Sequence, residues 1–307
     1  MDYPPFTRKQ PMHVALADGF ELTSAPHREY GIHHAVYRRE NPEFYQTYLE
    51  YGSDLEGIQY CFRVARHGER VGGIIVRPNH VEGLFVIPPF TDAWSILSAV
   101  KPLLLHWSDR GKDIEAVEVF DHELDLYCRG GFRLDCIRRY QIRPTAPCSV
   151  TWDDDLDVRP CQQGTLEDLC QLFVESFAGG VGIYGRFTLH DYRKRFATFP
   201  GDMTDDTIWG RASTLLYDRA TGRLVGACLV QMSDGVPAVG YMAVHPTHRR
   251  RKLATRMIQK ALSALHGQYP LLKIQVFVGN EAESVYRGLG FEPGPRRYFL
   301  RIPAGTF

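Results

Sequence analysis

The chain has 307 residues, with 36 basic and 36 acidic side chains, 44% hydrophobic residues, 28 Gly and 19 Pro. These fractions exclude disordered, collagenous, coiled-coil and low-complexity architectures. A formal net charge of zero removes the global electrostatic case for nucleic acid or an anionic membrane surface.

At roughly 100 to 200 residues per domain, the length predicts two domains. The start, MDYPPFTRKQ, carries charges and prolines where a signal peptide needs an apolar run, and no stretch approaches about 18 uninterrupted apolar residues. Seven cysteines with no CxxC pair argue against a disulfide framework and a structural zinc site. The expectation is a soluble, cytoplasmic protein without a bound metal.

In chain order, strand patterns at Ile58 to Val64, Val71 to Val76 and Val81 to Ile87 precede a helical pattern from Asp92 to Trp107. A strand at Glu115 to Phe120, a helix around Glu123 to Tyr127 and a strand near Arg133 to Ile142 follow. Thr145 to Asp157, with Pro147 and the run Asp153-Asp154-Asp155, reads as a linker. Beyond it come a strand at Val158-Arg159-Pro160, a helix from Leu166 to Phe177 capped by Thr165, and a helix from Leu189 to Phe196. Strands at Ser213 to Tyr217 and Leu224 to Gln231 flank the turn DRATG, and Ala238 to Val244 reads as the next strand. Leu253, Met257, Ile258, Ala261, Leu262 and Leu265 recur at helical spacing between Arg251 and His266. The chain closes with a strand from Leu272 to Val278, a helix from Glu281 to Leu289 and a strand from Arg297 to Ile302.

The two halves are copies of one unit. Tyr127 with Gly131-Phe132 falls on Tyr286 with Gly290-Phe291 at one constant offset, which also carries Trp107 onto His266. The expected class is mixed α/β, with domains at 1–144 and 158–307 and a linker at 145–157.

The sharpest local feature is Arg249-Arg250-Arg251-Lys252 at the start of a helical pattern. A helix N-terminus carries about half a positive charge, so cations there are unfavourable by roughly 0.3 to 1 kcal/mol each unless an anion also binds. The free N–H groups of the first turn offer an anion its hydrogen bonds. A phosphate-bearing ligand resolves the conflict; a solvated basic patch is the alternative reading.

The stretch Val244 to Ala254, with Asn280, Tyr286 and Gly290-Phe291 further on, resembles the GNAT superfamily of acetyl-CoA-dependent N-acyltransferases. In its loop signature, (Q/R)xxGx(G/A), Arg249 takes the first position and Ala254 the last, while Lys252 stands where the family has glycine. Lys252 is expected to keep its N–H with an ordinary helical φ. Asn280 lies six residues before Tyr286, one fewer than is common in the family. The resemblance implies two tandem GNAT-like domains, each a mixed, mostly antiparallel sheet flanked by helices. It assigns cofactor contacts to Ala243, Val244, Arg249, Arg250, Arg251, Lys252, Leu253, Ala254 and Asn280. Tyr286 becomes the acid that protonates the departing thiolate, and a backbone N–H near Ala243 or Val244 the oxyanion donor.

The implied acceptor is a primary amine, expected on a small molecule. Many relatives carry a glutamate on the strand before the loop, but Val239 to Val244 has no carboxylate, which leaves Tyr241, Asp234, Glu175 and His245 as candidate bases. The same gap favours the rival reading of a non-catalytic acyl-CoA-binding module. In the first copy the aligned loop reads Pro89-Phe90-Thr91-Asp92-Ala93-Trp94-Ser95, without arginine or glycine, and Asp92 repels a diphosphate. That copy is expected to be degenerate. Gly180 to Gly185 spells GxGxxG, but a helix rather than a strand precedes it, so it reads as a connection between helices. The resemblance puts Tyr184 and Phe187, in and beside that connection, at the acceptor.

Overall fold

The computed structural model describes residues 3–7, 12–38, 40–41, 43–54, 60–160, 165–179, 187–197 and 207–307. Its contacts divide the chain into two units, Met1–Arg139 with Gly294–Phe307, and Tyr140–Pro293. Gly180 to Gly185, including Tyr184, lies outside the described residues.

Unit 1 begins with β1 (His13–Ala15), β2 (Phe20–Ser24), α1 (His27–Tyr37) and α2 (Tyr48–Asp54). None of these was expected from sequence. Helix α1 buries Tyr30, Gly31, His34 and Ala35 while exposing Ile32 and Val36, so its polarity does not follow a helical stripe. Gly31 and Gly52 let α1 and α2 touch backbone to backbone, since a Cβ on Gly31 would strike the Gly52 carbonyl. Then come β3 (Cys61–Arg66), β4 (Glu69–Arg77), β5 (His80–Val86), α3 (Ala93–Trp107), β6 (Ile114–Val119), α4 (Leu124–Arg129) and β7 (Arg133–Pro144). Asp92 caps α3 by accepting from Ser95 N–H at 3.1 Å.

Unit 2 carries β8 (Leu156–Arg159), α5 (Leu166–Phe177), α6 (Leu189–Phe196), α7 (Ile208–Ala212), β9 (Thr214–Asp218), β10 (Leu224–Ser233), β11 (Val236–Val244), α8 (Leu253–Leu265), β12 (Leu271–Phe277), α9 (Ala282–Gly288) and β13 (Glu292–Pro293). The Thr165 side chain does not cap α5. All six apolar positions named for the helix at 253–265 are buried in the core of unit 2. Strand β14 (Arg297–Ile302) has the expected bounds but lies in unit 1.

The sheet of unit 1 runs β1-β2-β3-β4-β5-β6-β14-β7, and that of unit 2 runs β12-β11-β10-β9-β8. Strand β14 pairs antiparallel with β6 and with residues Arg133 to Arg138 of β7, and Tyr298, Leu300 and Ile302 enter the core of unit 1. The chain's last strand therefore completes the first unit. In return, Gln141 and Ile142 of β7 pair with β13 in unit 2. The expected boundary at 144 and 158 is corrected accordingly, and the linker is not one: Thr145 Oγ1 donates to Tyr269 O at 2.6 Å, and Cys148 and Trp152 pack on the core of unit 2.

The repeat is visible in both units. Phe132 N–H donates to Tyr127 O at 3.1 Å and Phe291 N–H to Tyr286 O at 3.0 Å, after glycines at φ +87° and +82°.

Candidate active site

The site in unit 2 is created by two parallel strands that part. Strands β11 and β12 are in register only at Ala238↔Lys273 and Val239↔Ile274. A bulge at Gly240 follows, because Leu229 of β10 faces Tyr241 while its neighbour Val230 faces Val239. Beyond it, Tyr241 to Val244 stay paired with β10 alone among the described residues. His245 N–H donates to Val225 O at 2.8 Å, toward β10. Peptide groups alternate sides along a strand, so Ala243 also turns to β10, while the N–H groups of Met242 and Val244 face the gap. Of the two positions at which a donor was expected, Val244 turns its N–H to the gap and Ala243 does not; Met242, which sequence reasoning missed, turns its N–H there as well. Ala243 instead buries its methyl under α5 and α6.

At the end of β11, Pro246–His248 make one tight turn and lead into the basic loop. Arg250 and Lys252 sit at φ +66° and +58°. The expected helical φ at Lys252 is therefore corrected: the residue holds the left-handed conformation that the family's glycine adopts freely. Arg256 N–H, bonded to Lys252 O at 3.0 Å, is the first intrahelical bond of α8, which leaves the N–H groups of the preceding turn open.

The four cations do not act together. Arg251 turns away to Asp153 and Asp155 at 2.8 and 2.7 Å, and Arg256 also holds Asp153. Hydrogen bonds from Arg256 and then Arg251 press the Asp153 carboxyl far below the usual carboxylate range. Arg249 Nη2 donates to Ser176 O at 2.6 Å, at the end of α5, and its Nε to Val244 O at 3.3 Å. Among the described residues, only Arg250 and Lys252 of the cluster are exposed without an ion pair or hydrogen bond. Leu253 anchors the helix in the core, and Ala254 is half-buried.

Tyr286 comes from α9. Its ring is buried 6.1 Å from Phe291, and its hydroxyl makes no hydrogen bond to a described residue. Burial, and then the Cys228 thiol, push its pKa well above that of a free phenol. Burial likewise pushes Cys228 up to about 12. Asn280 Oδ1 accepts from Ala282 N–H at 2.9 Å, so its carbonyl is engaged at the start of α9.

The candidate bases separate. Asp234 lies in the β10–β11 turn, at the opposite end of β11, paired with the buried Lys273 at 3.1 Å. Glu175 pairs with Arg223 and with His245, the latter at 3.2 Å. Burial raises Glu175, but Gln171, Arg223 and His245 outweigh it and its pKa falls. Tyr241 remains on β11 itself, edge-on to Phe196 at 4.8 Å and to Phe173 at 6.0 Å. Phe187 meets Tyr192 of the same aromatic cluster at 5.5 Å.

Unit 1 parts its strands in the same way, since β5 and β6 are in register only at His80↔Glu115 and Val81↔Ala116. There, however, the buried Arg38 donates to the Glu118 carbonyl just past the parting, and pairs with Glu123 at 3.3 Å. Tyr127 is buried as deeply as its copy, but Glu123 and Arg38 surround it, and α3 begins with Asp92 in place of cations.

Residues 210–293, all within unit 2, match the acetyltransferase (GNAT) domain family. The chain is similar to a GCN5-related N-acetyltransferase from Sphaerobacter thermophilus, with a TM-score of 0.69 and 17% identity over 94% of this chain and 97% of that one. It is also similar to a tandem GNAT protein from the clavulanic acid biosynthesis pathway, with a TM-score of 0.58 and 16% identity over 94% and 99% of the two chains. The chain has the tandem GNAT fold. A GCN5-related glucosamine N-acetyltransferase region of a fungal multi-domain GH3 β-N-acetylglucosaminidase matches 94% of this chain with 39% of its own, at a TM-score of 0.59 and 12% identity. No curated protein matches the sequence. Among the described residues, no helix is long and apolar enough to cross a membrane.

Proposed function

We propose that unit 2 moves an acetyl group from acetyl-CoA to a primary amine of a small molecule in the cytoplasm, and that unit 1 binds no acyl-CoA. One observation carries this reading: β11 leaves β12 after Val239, so two backbone N–H groups face a gap that opens toward the free first turn of α8. The left-handed Arg250 and Lys252 fold that turn into a cradle of N–H groups, which suits a diphosphate.

Each residue then has a task. The open N–H groups, with the exposed Arg250 and Lys252, hold the diphosphate. Asn280 offers its amide to the pantetheine arm. One of the N–H groups of Met242 and Val244, which lie two residues apart on an extended strand and so cannot share one oxygen, receives the carbonyl oxygen as the amine nitrogen bonds to the carbonyl carbon; such a donor contributes about 3 kcal/mol to a transition state. As the carbon–sulfur bond breaks, Tyr286 donates its proton to sulfur, and its raised pKa keeps that proton in place through neutral pH. Tyr241 is the remaining candidate for taking the ammonium proton.

The test is thiol release from acetyl-CoA across a panel of amines, which should show saturable turnover with at least one. Tight CoA binding without turnover would favour the acyl-CoA-binding module, a reading supported by the lack of a carboxylate between Gly240 and Val244.

A further inference from the structure

Arg249 opens the basic loop, but its guanidinium is bonded to two backbone carbonyls. Nη2 donates to Ser176 O at 2.6 Å, and Nε donates to Val244 O at 3.3 Å. The first carbonyl belongs to the last turn of α5 and the second to the last residue of β11. The last carbonyls of a helix have no intrahelical partner, and its C-terminus favours a cation. No residue in the last turn of α5 is basic, so the cation comes from a residue 73 positions further along the chain.

The Val244 carbonyl shows where that cation stands. A residue's own N–H and C=O leave an extended strand on the same side, so this carbonyl points, like the Val244 N–H, into the gap that β12 leaves. The peptide group between Val244 and His245 is held from both sides, its N–H on Val225 O at 2.8 Å and its carbonyl on Arg249. Arg249 therefore bonds the gap edge of β11 at a residue that carries a candidate oxyanion donor. At the other end of the bridge, α5 carries Phe173, edge-on to Tyr241 at 6.0 Å. Glu175 already ties the end of α5 to His245 at 3.2 Å and to Arg223. The helix thus does not depend on Arg249 to stay in place; Arg249 fixes where its end meets the Val244 peptide.

We propose that Arg249 is a positioning residue for acyl transfer: its guanidinium bridges α5 and β11 and fixes the Val244 backbone at the gap, and it is not a ligand of the diphosphate. The reaction rests on the acyl-transfer reading above; the bridge does not. A planar guanidinium spans two carbonyls because its N–H groups point in fixed directions, which a lysine ammonium on its flexible stem does not reproduce. The diphosphate is left to the open N–H groups of the loop and to the exposed Arg250 and Lys252.

Two measurements on the full chain test it separately. Arg249→Lys keeps the charge but not the planar fork, so turnover in thiol release should fall about tenfold while the CoA dissociation constant stays within about twofold. Wild-type turnover in Arg249→Lys overturns the proposal. So does a loss of CoA affinity that matches the loss of turnover, which would make Arg249 the diphosphate ligand that the loop signature implies. Carbon-13 NMR of the ligand-free protein reads the bridge alone. The carbonyl resonances of Ser176 and Val244 should shift in Arg249→Ala and hold still in Arg250→Ala, with Tm within about 2 °C of wild type in both. Resonances that do not move in Arg249→Ala overturn the bridge. If the wild type neither binds CoA nor turns over, the acyl-transfer reading fails, while the carbonyl resonances still decide the bridge.

Discussion

The Tyr286 hydroxyl can be removed almost without touching the fold, which makes Tyr286→Phe a clean probe of the chemistry. The ring stays packed on Phe291, and the lost oxygen has no hydrogen-bond partner among the described residues. The stability change should therefore stay within about 0.5 kcal/mol. If the phenol protonates the departing sulfur, turnover should fall by roughly 10² to 10⁴, the usual range for a positioned acid, with the CoA dissociation constant unchanged. Tyr286→Ala would instead remove a buried ring at a cost of about 3 to 5 kcal/mol and lower Tm. Tyr127→Phe, the same change in unit 1, should leave turnover intact. Steady-state thiol release, with calorimetry for binding, reads all three variants. Unchanged turnover in Tyr286→Phe, or a large loss of affinity, refutes the role. The sign of the pH effect is also set: a phenol pKa raised by burial leaves the folded state fully stabilised below the unfolded value of about 10, and stability falls as pH rises beyond it.

Other consequences follow from the loop. Lys252→Gly should raise stability by about 1 kcal/mol, seen as a Tm increase of roughly 2 to 4 °C, because glycine adopts φ +58° without the Cβ conflict. Arg250→Glu should weaken CoA binding by about tenfold or more, whereas Arg251→Ala should change it less than about twofold, since Arg251 is committed to Asp153 and Asp155. The depressed Asp153 carboxyl contributes stability above its unfolded pKa of about 4 and loses it as pH falls through its lower folded value. Asp153→Asn should accordingly lower Tm at about pH 7, with the difference from wild type shrinking toward about pH 2.

What the sequence disclosed was local and periodic. The apolar spacing from Leu253 to Leu265 marked α8 because every one of those positions faces one core, and the Tyr…Gly-Phe repeat marked both copies because a glycine at positive φ ends each short helix. Strand β14 was legible as a strand, but alternation does not say which sheet a strand joins, so its place in unit 1 was not. The partner of Arg251 lies 98 residues earlier in a segment that reads as a polar linker. The charge conflict at α8 was thus real, but it is relieved partly by aspartates. The turn of Met242 and Val244 toward the gap depends on which neighbour β11 pairs with, and no residue type encodes that. Helix α1 escaped notice because His34 and Gly31 take buried positions that an apolar stripe would fill.

Isothermal titration of the full chain with CoA addresses the central claim most directly. The account predicts heat with one equivalent bound per chain, strongly reduced by Arg250→Glu and untouched by Tyr127→Phe. Two equivalents would contradict the proposal that unit 1 binds no acyl-CoA, and no binding at all would contradict the assignment of the α8 turn to a diphosphate.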